Sequence, residues 1–205
     1  MKYLGKKIII IDNSNLSYSG DDLNGSIIRG TETSLILLAE QFVKMGIEVD
    51  YCNCIEIIKK VNGVNYFNKD NINMSKIYDL AIAISDANEF KRVSSIKKAI
   101  FSNSNQPFEK FIRKKQLIPF LKYKPTLITL CDYQFKERSF FTSFYGKKTI
   151  PITVDPKFLN IKIDKNHLPE KKVVYNIRSN RNLNLLIKIW CEKIYPVNKE
   201  FKLYI

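Results

Sequence analysis

The stretch from Lys7 to Tyr51 constrains the fold more than any other part of the chain. Ile8-Ile9-Ile10-Ile11 is an aliphatic run closed by Asp12, and it reads as a strand. A long polar loop carrying Gly20, Gly25 and Gly30 follows and ends in Arg29-Gly30-Thr31-Glu32. From Thr31 to Met45 the apolar residues Leu35, Leu38, Ala39, Phe42 and Met45 recur at three- and four-residue steps, one helical face turned to a core. Thr31 is the expected N-cap, with Glu32 in the first turn where a carboxylate suits the helix dipole, and Gly46 is the expected C-cap. Ile47–Tyr51 then reads as a second strand. A strand, glycine loop, helix and strand in that order set backbone N–H groups and a helix N-terminus where a phosphate or sugar can sit. Asp12 and Asn13 end the first strand, the place where α/β proteins bind ligands, although an aspartate there is also a routine turn former.

Further along, Ile55–Val61 and Val64–Phe67 flank Asn62-Gly63, a strong hairpin signal. Tyr78–Ile84 is an apolar strand of the buried, parallel kind, and Ala99–Phe101 repeats the pattern before the polar stretch Ser102–Gln106. Phe108 to about Leu121 is an expected helix, bent or ended by Pro119. Thr126–Cys131 is an expected strand, Tyr133–Phe144 a helix stopped by Gly146, and Thr149–Val154 a further short strand. The rings within Phe135–Tyr145 mix with charges at helical spacing, which marks them as core and not as a base-stacking platform. Asp155–Glu170 is prolyl, charged and weakly patterned, the linker candidate; His167 within it reads as a bystander. The pattern then restarts with a Lys172–Asn176 strand, a Leu183–Ile194 helix and a Phe201–Ile205 strand. Strands alternating with helices imply an α/β fold, a Rossmann-like parallel sheet flanked by helices, plus an incomplete start of a second Rossmann-like domain. The expected division is an N-terminal domain over 1–156, a linker over 157–170 and a partial second domain over 171–205.

Composition excludes some classes. Hydrophobic content of 45% in 205 residues fits a chain with a real core. No apolar run reaches the roughly 18–20 residues that span a bilayer, and the first apolar segment is too short for a signal-peptide core. A cytoplasmic protein is expected, with peripheral association at the inner membrane face as one account of its charge. Cys52, Cys54, Cys131 and Cys191 form no C-x-x-C pair, so reduced thiols are expected and no metal site. A net charge of +14 fits an anionic partner such as a membrane surface, or equally a lysine-rich composition spread over solvated faces. The lysines fall in dispersed pairs and not in one tail, which argues against nucleic acid.

Arg29–Gly46, Ile150–Phe158 and Val174–Trp190, in that order, carry a resemblance to retaining GT-B glycosyltransferases of the family-4 type. Arg29-Gly30-Thr31-Glu32 and the helix to Gly46 resemble that family's Gly-Gly-x-Glu loop and helix. Ile150-Pro151-Ile152-Thr153-Val154-Asp155-Pro156-Lys157-Phe158 resembles its interdomain bridge. Val174–Leu183, continuing to Trp190, resembles the opening of its donor domain, where a strand ends at a basic phosphate-binding turn. The resemblance implies hexosyl transfer from a sugar nucleotide to a glycan or lipid-linked acceptor in a cleft between two domains, with the sugar nucleotide as co-substrate and no metal or other cofactor. It implies that Arg29, Gly30 and Thr31 with Arg178 and Arg181 bind the donor, Gly30 by letting backbone approach the diphosphate and the arginines by neutralising it as it leaves. Asp12, Asn13, Ser102, Asn103 and Asn105 are the implied acceptor side, and no catalytic residue is assigned.

The departures are specific. Arg29 replaces the first family glycine, Ile152-Thr153 replaces the bridge Asn-Gly, Ile177-Arg178 replaces Gly-Arg, and Arg181-Asn182 replaces Lys-Gly. The family's Glu-x7-Glu donor motif lies beyond Ile205; Glu192 and Glu200 have the spacing but precede the second donor-domain strand and read as helix-end charges. The chain is therefore expected to stop within a second domain and to lack full transferase activity alone. Two other classes stay open: a non-catalytic module that docks to a separate donor-domain subunit, and a basic nucleic-acid-binding protein.

Overall fold

The computed structural model describes residues 3–24, 28–103, 108–136, 140–151, 153–154, 159, 170–175 and 181–205. Gly25, Asn105, Ile152, His167 and Arg178, Asp155–Phe158 of the bridge and nearly all of the linker lie outside the described residues. The chain divides into two compact units, Met1–Leu159 and Asn160–Ile205.

The first unit is built on β1 (Lys7–Ile11), whose isoleucines face alternately to the two sides of the sheet. Ile8 and Ile10 pack with Leu35, Ile36 and Ala39 of α1 (Gly30–Lys44), whereas Ile9 and Ile11 join a second cluster with Phe90, Phe111 and Phe120. A strand buried on both faces is hydrophobic at every position, which is why the aliphatic run does not alternate. It pairs in parallel with β2 (Glu48–Asn53) on one side and β5 (Ile77–Ile84) on the other. With β3 (Lys59–Val61), β4 (Val64–Asn68), β6 (Ser94–Ser102), β7 (Thr126–Thr129) and β8 (Lys147–Thr149), the eight-stranded order is β3-β4-β2-β1-β5-β6-β7-β8. Every pairing is parallel except β3 with β4. The chain moves outward from β1 in one direction through α1 and in the opposite direction from β5. One hand of crossover then puts α1 on one face and α2 (Phe108–Arg113) and α3 (Leu117–Tyr123) on the other.

The structure corrects several expectations. α1 begins at Gly30 with Arg29 at the N-cap, so Thr31 lies inside the helix and is not its cap. Its buried stripe is Glu32, Leu35, Ile36 and Ala39, while Met45 lies past the helix and is exposed. Gly46 does close it: its N–H donates to the Val43 carbonyl (2.9 Å) and that of Ile47 to the Phe42 carbonyl (3.1 Å), the paired bonds of a Schellman turn. The expected hairpin about Asn62-Gly63 is present as β3 and β4, though its first strand is only Lys59–Val61, and the connection from β5 to β6 is a single 3₁₀ segment, Ala87–Arg92. The 108–121 region is two short helices broken at Lys115, whose φ of 53° is left-handed; Pro119 sits in the first turn of α3, where its missing N–H costs nothing. β8 spans 147–149 and not 149–154. The 133–144 segment holds only a short turn of helix, α4 (Tyr133–Lys136), and a 3₁₀ turn, Phe140–Ser143, among the described residues. The rings of Phe141 and Tyr145 stack on Phe120, as core.

Asp50 is buried midway along β2 and is fully partnered. It accepts from Asn65 Nδ2 (2.9 Å), Lys76 Nζ (2.7 Å) and the Tyr78 hydroxyl (2.6 Å), tying β2, β4 and β5 together. In the second unit β9 (Lys172–Val174) pairs in parallel with β10 (Lys202–Tyr204), joined through α5 (Leu183–Ile189) and a π-helical turn, Trp190–Ile194. Glu200 pairs with Lys171 at the start of these strands, a structural place for one of the two glutamates at donor-motif spacing.

The β3–β4 hairpin turns on Asn62 and Gly63, both at positive φ (49° and 84°). A Cβ on Gly63 would stand 2.5 Å from Val43 Cγ1 of α1. Gly63→Ala is expected to destabilise the first unit by about 1–3 kcal/mol, read as a lower urea midpoint at unchanged slope.

Candidate functional site

In an open parallel sheet the crevice for ligands lies at the carboxyl ends of the strands, where neighbouring strands send their connections in opposite directions. Here that point is between β1 and β5. Asp12 and Asn13 leave β1, Ser85 and Asp86 leave β5, and Ser102 and Asn103 leave β6, all at this edge. The N-terminus of α1 opens onto it as well.

The structure brings together part of the expected set. The Asn103 side-chain amide donates to the Thr31 hydroxyl, so the end of β6 is fastened to the first turn of α1. Gln134 Nε2 donates to the Asn103 carbonyl (3.2 Å) while its Oε1 accepts from the Leu130 N–H (2.9 Å), which brings the loop after β7 into the same collar. The chain leaving β8 returns to α1, where the Thr153 hydroxyl donates to the Ser34 carbonyl (3.5 Å). Arg29 and Gly30 are exposed at the head of the helix. A Cβ on Gly30 would meet nothing within 4 Å, and its φ is helical, so the fold itself does not call for glycine here. Gly20 differs, for a Cβ there would stand 2.9 Å from Val61 Cγ1, and packing against β3 explains it.

Other expected residues are placed elsewhere or are already engaged. Asp12 is buried; its Oδ1 accepts from the Ser14 N–H (2.9 Å), and its Oδ2 from the Ser14 hydroxyl (2.8 Å) and the Tyr18 hydroxyl (2.5 Å). It organises the loop after β1. Asn13 Oδ1 accepts from Lys69 Nζ (3.0 Å). Ser102 is buried as the last residue of β6. Arg181 belongs to the second unit, its side chain exposed and its carbonyl accepting from the Tyr175 hydroxyl (2.7 Å). Among the described residues no group of three or more His, Cys, Asp or Glu converges as a metal site.

Three side chains carry weight that the sequence did not assign to them. Tyr18 and Tyr51 hydroxyls lie 2.7 Å apart in the core. An ionised Asp12 only accepts, so the Tyr18 proton goes to Asp12 and the Tyr51 proton to Tyr18, a directed chain of two hydroxyls. Burial, then the neighbouring Tyr51 and Asp12, pushes the Tyr18 phenol far above its ordinary range, and burial does the same for Tyr51. A cavity of about 450 Å³ opens beside Tyr18, lined also by Ser17, Asp22, Ile55, Glu56 and Lys59, a size within the span of small-molecule sites. The third is Glu32, whose carboxylate is buried in the first turn of α1, its Oε2 without a hydrogen-bond partner among the described residues.

The chain matches no family model, no curated protein and no solved structure. Among the described residues no helix is long and apolar enough to cross a membrane.

Phenols held above their ordinary pKa keep their protons in the folded state after the unfolded chain has lost them. Stability is therefore full below the unfolded values and falls as pH rises through them. Burial raises Cys52, and burial raises Tyr66 and Tyr78 as well. Urea midpoints are expected to hold steady to about pH 8, then fall through about pH 9–11 as the thiol and the phenols of the unfolded chain ionise. Tyr18→Phe is expected to cost roughly 1–3 kcal/mol at pH 7, by leaving the Tyr51 hydroxyl without its acceptor, and to flatten the alkaline fall.

Proposed function

We propose that this chain binds a sugar nucleotide at the carboxyl edge of its parallel sheet and serves hexosyl transfer of the GT-B glycosyltransferase type, to a glycan or lipid-linked acceptor. One observation carries the reading. The fifteen-residue helix α1 opens at the strand-order reversal, behind Arg29, a residue with no side-chain oxygen to cap its first amides. Those amides and the helix dipole favour an anion, and bare Gly30 leaves them approachable. Arg29 adds a guanidinium beside them, and Thr31, Asn103 and Gln134 offer polar groups on the far side of the same turn. In this reading the diphosphate rests against Gly30 and Thr31 with Arg29 alongside, and the acceptor approaches past Asn13 and Asn103. The lysine excess, +14 overall, suits an anionic donor and an acceptor at an anionic membrane surface.

A binding module without a transfer step is the second reading. What favours it is Asp12, the acid nearest the strand end, whose carboxylate oxygens are both engaged within its own loop.

Calorimetric titration with UDP-glucose and GDP-mannose tests the proposal, with Gly30→Val as the paired variant. Binding by the wild type and a loss of about tenfold or more in Gly30→Val is expected, the variant staying folded because the new side chain meets only open space. Equal binding by the two chains, or none by the wild type, would overturn it. Radiolabelled hexose appearing in a lipid-linked acceptor separates a transferase from a module that only binds.

A further inference from the structure

The loops at the amino ends of the strands expose more apolar surface than a solvated rim needs. Leu4 precedes β1, Met45 precedes β2, Met74 precedes β5, and Ile77 and Ile96 stand at or near the starts of β5 and β6. Leu4 is 74% exposed, Met74 62% and Ile96 72%, so these side chains serve no core. Their strands are neighbours in the order β2-β1-β5-β6, which gathers the residues into one patch. An open groove of about 480 Å³ continues it inward, lined by Tyr3, Phe42, Met45, Leu80 and Ile96. Single exposed apolar residues are ordinary, whereas a contiguous patch marks a surface that meets something.

Charge narrows what that is. Lys6, Lys44, Lys76 and Lys97 stand at the same edge. Of the acids there, Glu48 and Asp79 are already paired, with Lys76 (2.7 Å) and Lys6 (2.7 Å). Lys44 and Lys97 are exposed, with no acidic partner among the described residues. Asp12, Asp22, Asp86 and Asp132 stand instead in loops that follow strands, so the excess of +14 is not spread evenly. A second copy of the chain is a poor occupant, since a two-fold contact would set these lysines against their own copies. An anionic bilayer answers both features. Its headgroups attract the lysines, its acyl boundary takes the apolar side chains, and its fluid surface needs no matched shape for residues carried on separate loops.

We propose that the amino edge of the first unit, from β2 to β6, docks on an anionic membrane surface, with Leu4, Met74 and Ile96 entering the boundary between headgroups and acyl chains. This rests on the membrane part of the reading above and names the surface that serves it; it draws nothing from the head of α1. The crevice at the carboxyl edge then stands off the bilayer by the length of β1, five residues or about 17 Å. A lipid-linked acceptor reaches it only through a glycan of at least that span.

Co-sedimentation with phosphatidylcholine vesicles, with and without phosphatidylglycerol as the anionic lipid, tests the proposal. The wild type is expected to bind the anionic vesicles at least tenfold more tightly than the neutral ones, and to dissociate as salt rises. The triple variant Leu4→Ser, Met74→Ser, Ile96→Ser and the double variant Lys44→Glu, Lys97→Glu are each expected to bind about tenfold more weakly or worse. Both are expected to keep a thermal midpoint close to that of the wild type, because all five side chains are exposed. Ile57→Ser, at an exposed position in the loop after β2 on the opposite edge, is expected to bind as the wild type does. A wild type indifferent to anionic vesicles, full binding by either edge variant, or equal weakening in Ile57→Ser would overturn the proposal. Binding to polyglutamate by a chain that ignores the vesicles would hand the surface to an acidic protein, and so would overturn it too. UDP-glucose affinity is expected to be the same in every variant. Failure on vesicles therefore removes the docking surface alone, and failure to bind UDP-glucose removes the sugar-nucleotide reading alone.

Discussion

Everything in the first unit depends on β1 being buried on both faces. Three of its four isoleucines are wholly shielded from solvent, and each fully buried aliphatic side chain contributes roughly 1.5–3 kcal/mol to the folded state. A strand in that position has no edge and no wet face, so it needs a neighbour on each side and a layer over each surface. β2 and β5 supply the first, and α1 and the α2–α3 pair supply the second. Because β2 and β5 lie on opposite sides, the connections after β1 and β5 diverge. That divergence makes the crevice on which the candidate site stands.

The edge of the crevice is held by polar side chains that bond one another across elements. Asp12, Tyr18 and Tyr51 fix the loop after β1 from below, and Thr31, Asn103 and Gln134 join α1 to the loops after β6 and β7. Most of the polar atoms there are engaged. Among the described residues Glu32 Oε2 has no hydrogen-bond partner, and a side chain at Gly30 would meet only open space.

Much of this architecture was legible in the sequence where hydrophobic patterning is strong. β1, α1, β2, β5 and the Asn62-Gly63 hairpin all stand where aliphatic runs and glycine punctuation place them. The failures have physical causes. Thr31 looked like a cap because its hydroxyl suits that role, but the helix starts two residues earlier, behind Arg29, and the hydroxyl instead meets Asn103. Pro119 looked like a helix breaker, yet the break is at Lys115, whose left-handed backbone no side-chain pattern announces. The first hairpin strand is shorter than Ile55–Val61, since only Lys59–Val61 pairs with β4. Of the site, Gly30 and Asn103 were readable from their neighbourhoods. Tyr18 and Tyr51 were not, since their meeting joins residues far apart in sequence. Glu32 had a signal: once the stripe is phased on Leu35, Ile36 and Ala39, a carboxylate falls on its buried side.

The central claim is that the head of α1 is where a phosphorylated sugar binds. Backbone amide NMR of the isotopically labelled chain during titration with UDP-glucose tests it most directly, since each amide reports its own surroundings. Saturable shifts are expected at Gly30, Thr31 and Glu32 and at Asn103 across the collar, with the amino edge of the sheet around Glu48 and Ile77 silent. Shifts centred on that opposite edge, or none at Gly30 and Thr31 at saturating ligand, would contradict the account.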